Sequence, residues 1–112
     1  MKTLHLTLKK KWFDMILSGE KKEEYRQIKP YWLTRFKYRC NNLDMMHELN
    51  YSYTHIIFKN GYSKNAPTIL IELDDIGFGK AKPEWSDNWQ GDVFVIKLGK
   101  IIETKNCETR LV

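Results

Sequence analysis

Leu4, Leu6 and Leu8 alternate with His5 and Thr7, and four residues later the apolar spacing changes. Trp12, Met15 and Ile16 fall on one helical stripe, widened by Phe13 and Leu17. A period of two belongs to a half-buried strand and a period near 3.6 to an amphipathic helix. This switch constrains the chain most: a strand over residues 3–8 must hand over at once to a helix, Lys9 to Ser18. Gly19 stands where a helix needs a left-handed residue to stop. The wide apolar face of the helix should pack on the sheet, with Trp12 in the core. His5 points away from the leucine face and reads as a surface histidine. Lys9, Lys10 and Lys11 sit in the first turn, where positive charge opposes the helix dipole. They are either a solvated run or a phosphate-facing one.

The next stretch, Ser18 to Arg26, holds six charges in nine residues, three of each sign. It leads into a second strand, Lys22 to Ile28. Side chains alternate faces along a strand, so Glu24 and Arg26 share one face while Glu23 and Tyr25 share the other. A carboxylate two positions from a guanidinium can hold that fork in one orientation. Lys21 lies at the mouth of the strand. The spacing predicts a compact cationic site braced by Glu24. The plainer alternative is a surface ion-pair ladder, and exposed pairs contribute only about 0–1 kcal/mol.

Pro30 fits the first position of another helix, running from about Tyr31 to Cys40. Trp32, Leu33, Phe36 and Cys40 make its apolar stripe, with Arg35, Lys37 and Arg39 on the other faces. Tyr31, Trp32 and Tyr38 among those cations fit nucleic-acid contact, and amphipathic packing explains them equally. Leu43, Met46 and Leu49 allow a short third helix. The second half reads as sheet. His55 to Lys59 is a buried strand, followed by the turn signal Asn60-Gly61. The loop that follows offers Tyr62, Ser63 and Lys64 to a polar ligand. Thr68 to Ile76 is the next strand, and Gly77, Gly79 and Pro83 break its pattern. Trp85 to Trp89 forms a loop with two tryptophans, and Val93 to Leu98 is the last long strand, with a possible extension through Ile102. The tail from Glu103 is polar. Strand, helix, strand, helix and then several strands give an α+β fold. So many short strands around one core close most economically into a small barrel covered by its helices.

A chain of 112 residues suits one domain. Cys40 and Cys107 match no zinc or C-x-x-C spacing, and His5, His47 and His55 show no metal-like spacing. No cofactor or metal is expected. The first residues alternate in polarity and do not read as a signal peptide, and no apolar run approaches a membrane span. A reduced, cytoplasmic setting follows. The net charge of +5 is uneven: residues 1–40 carry eleven Lys and Arg against four Asp and Glu, whereas residues 41–112 carry eight against ten. A basic half suits a polyanionic partner, or simply solubility.

Gly19-x-Lys21-x-x-Glu24-x-Arg26 resembles the G-x-K-x-x-E-x-R signature of the ASCH domain, a relative of the PUA domain. The resemblance extends to the order of elements from about Leu4 to Leu98, in the manner of small stand-alone bacterial or phage members. It implies a PUA-like β-barrel with two or three covering helices and a cleft lined by Gly19, Lys21, Glu24 and Arg26. It also implies that the cleft binds RNA or a nucleotide-like ligand. One branch of small bacterial ASCH proteins hydrolyses the amide of N4-acylated cytidine-type nucleosides with a lysine, a threonine and a glutamate. Lys21 matches that lysine, and Glu24 stands where the threonine would be. Under this alternative Lys21 and Glu24 are catalytic.

Overall fold

A computed structural model describes residues 1–41 and 46–108. Seven strands, two α-helices and one short 3₁₀ turn are seen among them. The first strand, β1 (Thr3–Thr7), buries Leu4 and Leu6 and exposes His5, as the alternation requires. Helix α1 (Lys10–Leu17) buries Trp12, Phe13 and Ile16. Its end is sharp. Gly19 takes φ +85°, and its amide donates to the Ile16 carbonyl at 3.0 Å. The chain then doubles back, and the Lys21 amide donates to the Met15 carbonyl at 3.0 Å. That reversal tucks Lys21 inwards before β2 (Glu23–Gln27) begins.

Helix α2 (Pro30–Arg35) is shorter than the Tyr31–Cys40 helix that the apolar stripe predicts. Phe36 caps it, and Lys37 takes φ +53°, a left-handed turn that ends the helical path. The chain leaves as β3 (Tyr38–Asn41), which pairs antiparallel with β4 (Met46–Leu49). Residues 46–49 are therefore strand where a short helix was expected, and residues 42–45 of that expected helix lie outside the described residues. Tyr38 shows why pairing prevails over helix here. Its ring meets Phe78 edge-on at 6.0 Å, a contact from far along the chain that local periodicity does not encode.

β5 (His55–Lys59) runs parallel to β1, while β6 (Thr68–Lys80) and β7 (Asp92–Lys105) form the long antiparallel spine. β6 continues four residues beyond the expected stop. Gly77 and Gly79 do not break it but pair with Val95 and Val93. A Cβ at Gly79 would lie 3.3 Å from Val95 Cγ2, so the missing side chain lets the two strands sit close. Gly99 lies where the β6–β7 register shifts, and a Cβ there would fall 2.5 Å from Asp74 Oδ1.

The five-stranded sheet has the order β1-β5-β6-β7-β2 and curls into a half-barrel. Leu4, Leu6, Phe13, Ile16, Phe36, Ile56, Phe58, Ile69, Phe94 and Ile96 fill its inside. Both helices contribute to that core, α1 through Phe13 and Ile16. At the end of α2, Phe36 is stacked by Trp32 and meets Phe94 edge-on at 5.0 Å. A second, smaller cluster lies on the other face, where Tyr25, Val93 and Val95 carry Ala81, Trp85 and Trp89. The end strands β1 and β2 are not ladder partners, but one side chain joins them: Arg26 on β2 donates to the Thr7 carbonyl on β1 at 3.2 Å. Among the described residues no helix is long and apolar enough to cross a membrane.

Candidate functional site at the open edge of the second strand

β2 is an end strand, and its backbone pattern fixes what its open edge presents. The Leu98 amide donates to the Lys22 carbonyl at 3.0 Å. In an antiparallel ladder bonded and non-bonded positions alternate, so Glu24 and Arg26 also face β7 with their backbone groups. Glu23 and Tyr25 direct theirs to the open edge. The Glu23 carbonyl accepts a hydrogen bond there from Lys21 Nζ, in agreement with that placement.

Lys21 is the innermost member of the site. Its side chain is 0 % exposed. Nζ donates to Glu24 Oε1 at 2.9 Å and lies 4.9 Å from the Tyr25 ring centre and 5.5 Å from that of Trp12. Burial lowers its pKa from the ordinary value; Glu24 opposes that shift and Arg26 adds to it. The other oxygen of Glu24 accepts from Arg26 at 2.9 Å. One carboxylate therefore joins a buried ammonium to the guanidinium of an arginine whose side chain is 20 % exposed. The guanidinium also lies 5.5 Å from the ring centre of Trp32. Its Nε is buried and has no hydrogen-bond partner among the described residues. Arg26 is thus held from three sides, with its buried Nε donor unspent.

On the opposite face Tyr25 donates its hydroxyl proton to Glu23 Oε1 at 2.7 Å and accepts from the Lys82 amide at 3.2 Å. Its pKa is raised by burial and by the Glu23 carboxylate, against the Lys82 amide. This bond ties the motif strand to the segment that carries Trp85 and Trp89. Lys82 Nζ lies 4.5 Å from the Trp85 ring centre, and the Lys82 carbonyl accepts from the Ser86 hydroxyl at 3.0 Å.

An inner hollow of about 190 Å³ opens at this edge. Glu24, Tyr25 and Arg26 all line it. Three consecutive strand residues can do so only if the hollow lies along the strand edge. The remaining wall comes from Thr7, Leu8, Lys9 and Trp12 on one side, and from Trp85, Ser86, Asp87 and Trp89 on the other. Lys9 and Asp87, both in this lining, form an ion pair at 3.6 Å. An outer hollow of about 530 Å³ adjoins the first and shares Thr7, Leu8, Lys9 and Arg26 with it.

The structure thus brings Lys21, Glu24 and Arg26 together, and Gly19 shapes the turn that delivers Lys21. Lys21 itself does not line the hollow but supports Glu24 from behind. Tyr62 reaches the outer hollow, whereas Ser63 and Lys64 line neither hollow. Arg35, Lys37 and Arg39 are exposed and line neither hollow. The basic first half gathers only Lys9 and Arg26 at the hollows, because Lys21 is buried and Lys10 pairs with Asp14 at 2.8 Å. The sequence assigns Trp12 to the core alone and gives Trp85 and Trp89 no role. Trp12 obeys the core stripe and lines the hollow as well, and the only signal in residues 85–89 is a tryptophan pair in a polar loop. Comparison with protein-family models, with curated proteins and with solved structures finds no match to this chain.

Proposed function

We propose that this chain is an ASCH-like, PUA-like binding module that takes RNA or a nucleotide-like ligand with a base in the inner hollow. The observation that carries this reading is the edge-on hollow, in which Arg26 is oriented by Glu24 and three tryptophans form the walls. Aromatic walls favour a planar ring, since every base offers a π-face. The open-edge amide and carbonyl of Tyr25 supply one donor and one acceptor, as a base edge requires. The volume lies below the range of about 300–1,000 Å³ of sites for drug-sized ligands. That suits a single heterocycle. In the same lining Glu24 and Asp87 offset Lys9 and Arg26, and a hollow without net positive charge favours a neutral group over a phosphate. The curled sheet and the packing of α1 against it support the PUA-like reading of the fold.

The test is titration of the tryptophan fluorescence with the four ribonucleosides. Saturable quenching is expected for at least one of them, and Arg26→Ala should weaken it about tenfold or more. Absence of quenching by all four rejects the reading.

A second reading rests on the lowered pKa of Lys21. A neutral amine is the form an amidohydrolase would use on an N4-acylated cytidine. The full burial of Lys21 and its two hydrogen bonds favour a positioning role instead. Incubation with N4-acetylcytidine and chromatography of the products decides between them. Release of cytidine that is lost in Lys21→Met would establish the enzyme.

A further inference from the structure

We propose that the outer hollow is a subsite for a second nucleotide, so that the ligand is a single-stranded oligoribonucleotide spanning both hollows. This rests on the base reading of the inner hollow. The two hollows differ in charge. The inner one balances Glu24 and Asp87 against Lys9 and Arg26, whereas among the described residues no carboxylate lines the outer one. His5, Lys9 and Arg26 supply its ionisable nitrogen groups. A phosphodiester meets no net positive charge in the first lining and two cations without a carboxylate in the second, so it is favoured in the second. Arg26 and Lys9 line both hollows, which places two cations where a strand leaving the inner hollow must pass.

The outer hollow also carries stacking platforms. Tyr62 is 89 % exposed and Tyr31 is 57 % exposed, and both line it. A single exposed aromatic is unremarkable on a protein surface. Two in one concavity with two cations form the pairing that binds single strands, stacking for bases and charge for the backbone. Gly61, at φ +103°, turns the chain immediately before Tyr62. The Arg35 guanidinium lies 4.5 Å from the Tyr31 ring centre and extends positive charge past the hollow.

The experiment measures affinities of the four ribonucleosides and the four homotetraribonucleotides for the wild-type protein, Tyr62→Ala and Tyr31→Ala. The best tetranucleotide should bind at least about tenfold more tightly than its nucleoside. Each tyrosine variant should weaken the tetranucleotide about five- to tenfold and leave the nucleoside unchanged. Tetranucleotide binding should also fall with added salt while nucleoside binding does not. Equal affinity of nucleoside and tetranucleotide overturns the subsite and leaves the base reading standing. Tight tetranucleotide binding that ignores both tyrosine variants places the extra nucleotides elsewhere and also overturns it. If neither ligand binds, the base reading fails and this inference falls with it.

Discussion

The two faces of β2 are built from adjacent residues by opposite means. On one face Glu24 and Arg26 continue an ionic chain that starts at buried Lys21. On the other, Tyr25 hydrogen-bonds Glu23 and, with Val93 and Val95, carries Trp85 and Trp89. The ionic face joins the two ends of the half-barrel, because Arg26 bonds the β1 backbone. The aromatic face holds the loop that forms the far wall of the hollow. The difference teaches how an edge strand can serve a site. Charge orients one polar group from behind, and packing sets the wall that this group faces.

The largest effect should come from Glu24→Gln. It leaves Lys21 buried without its carboxylate and frees the Arg26 fork. A loss of about 3–5 kcal/mol is expected in denaturant unfolding. Lys21→Met in the same chain should recover part of that loss, because the stranded charge is gone. Additive single and double variants would show that the ionic chain is not one unit.

Tyr25→Phe should be milder, about 1–2 kcal/mol, from two hydrogen bonds at the hydroxyl. Its signature is local: amide exchange should quicken over residues 81–91, while α1 keeps its protection. Uniform acceleration would mean that the two faces are not separable.

Alkaline pH gives the two faces opposite slopes. Lys21 has a folded pKa below its ordinary value of 10.5, so between the two the unfolded chain binds more protons and stability rises with pH. Tyr25 has a folded pKa raised above 10.0, so above pH 10 the unfolded chain loses its proton first and stability falls. Unfolding of the wild type, Lys21→Met and Tyr25→Phe from pH 7 to 11 checks both signs. Lys21→Met should lose the rise below pH 10.5, and Tyr25→Phe should soften the fall above pH 10. Tyr51, also raised by burial, keeps part of that fall in place.

The smallest effect belongs to Asp87→Asn. The Lys9–Asp87 pair is solvent-exposed, so stability should change by less than about 1 kcal/mol. Because both residues line the inner hollow, ligand exchange should quicken even so. A change in stability as large as that of Tyr25→Phe would make the pair a structural element.

The chain alone carried the elements whose cause is local. The switch from leucine alternation to the Trp12–Ile16 stripe specified β1 and α1, and Gly19 marked the turn between α1 and β2. Alternation alone placed Glu24 beside Arg26 and Glu23 beside Tyr25. What long-range contacts decide was not legible. Tyr38 leaves helix for strand because Leu49 and Phe78 await it, and β6 runs through two glycines because Val93 and Val95 pair with them. Lys21 is an ordinary lysine in the sequence. It becomes a buried brace only because the reversed chain places it between Trp12, Tyr25 and Glu24. The tryptophan walls meet β2 across some sixty residues of chain, a proximity that neither period nor propensity encodes. Backbone geometry is written residue by residue. Burial, pKa and the shape of a hollow are properties of neighbours, and only the folded chain decides who they are.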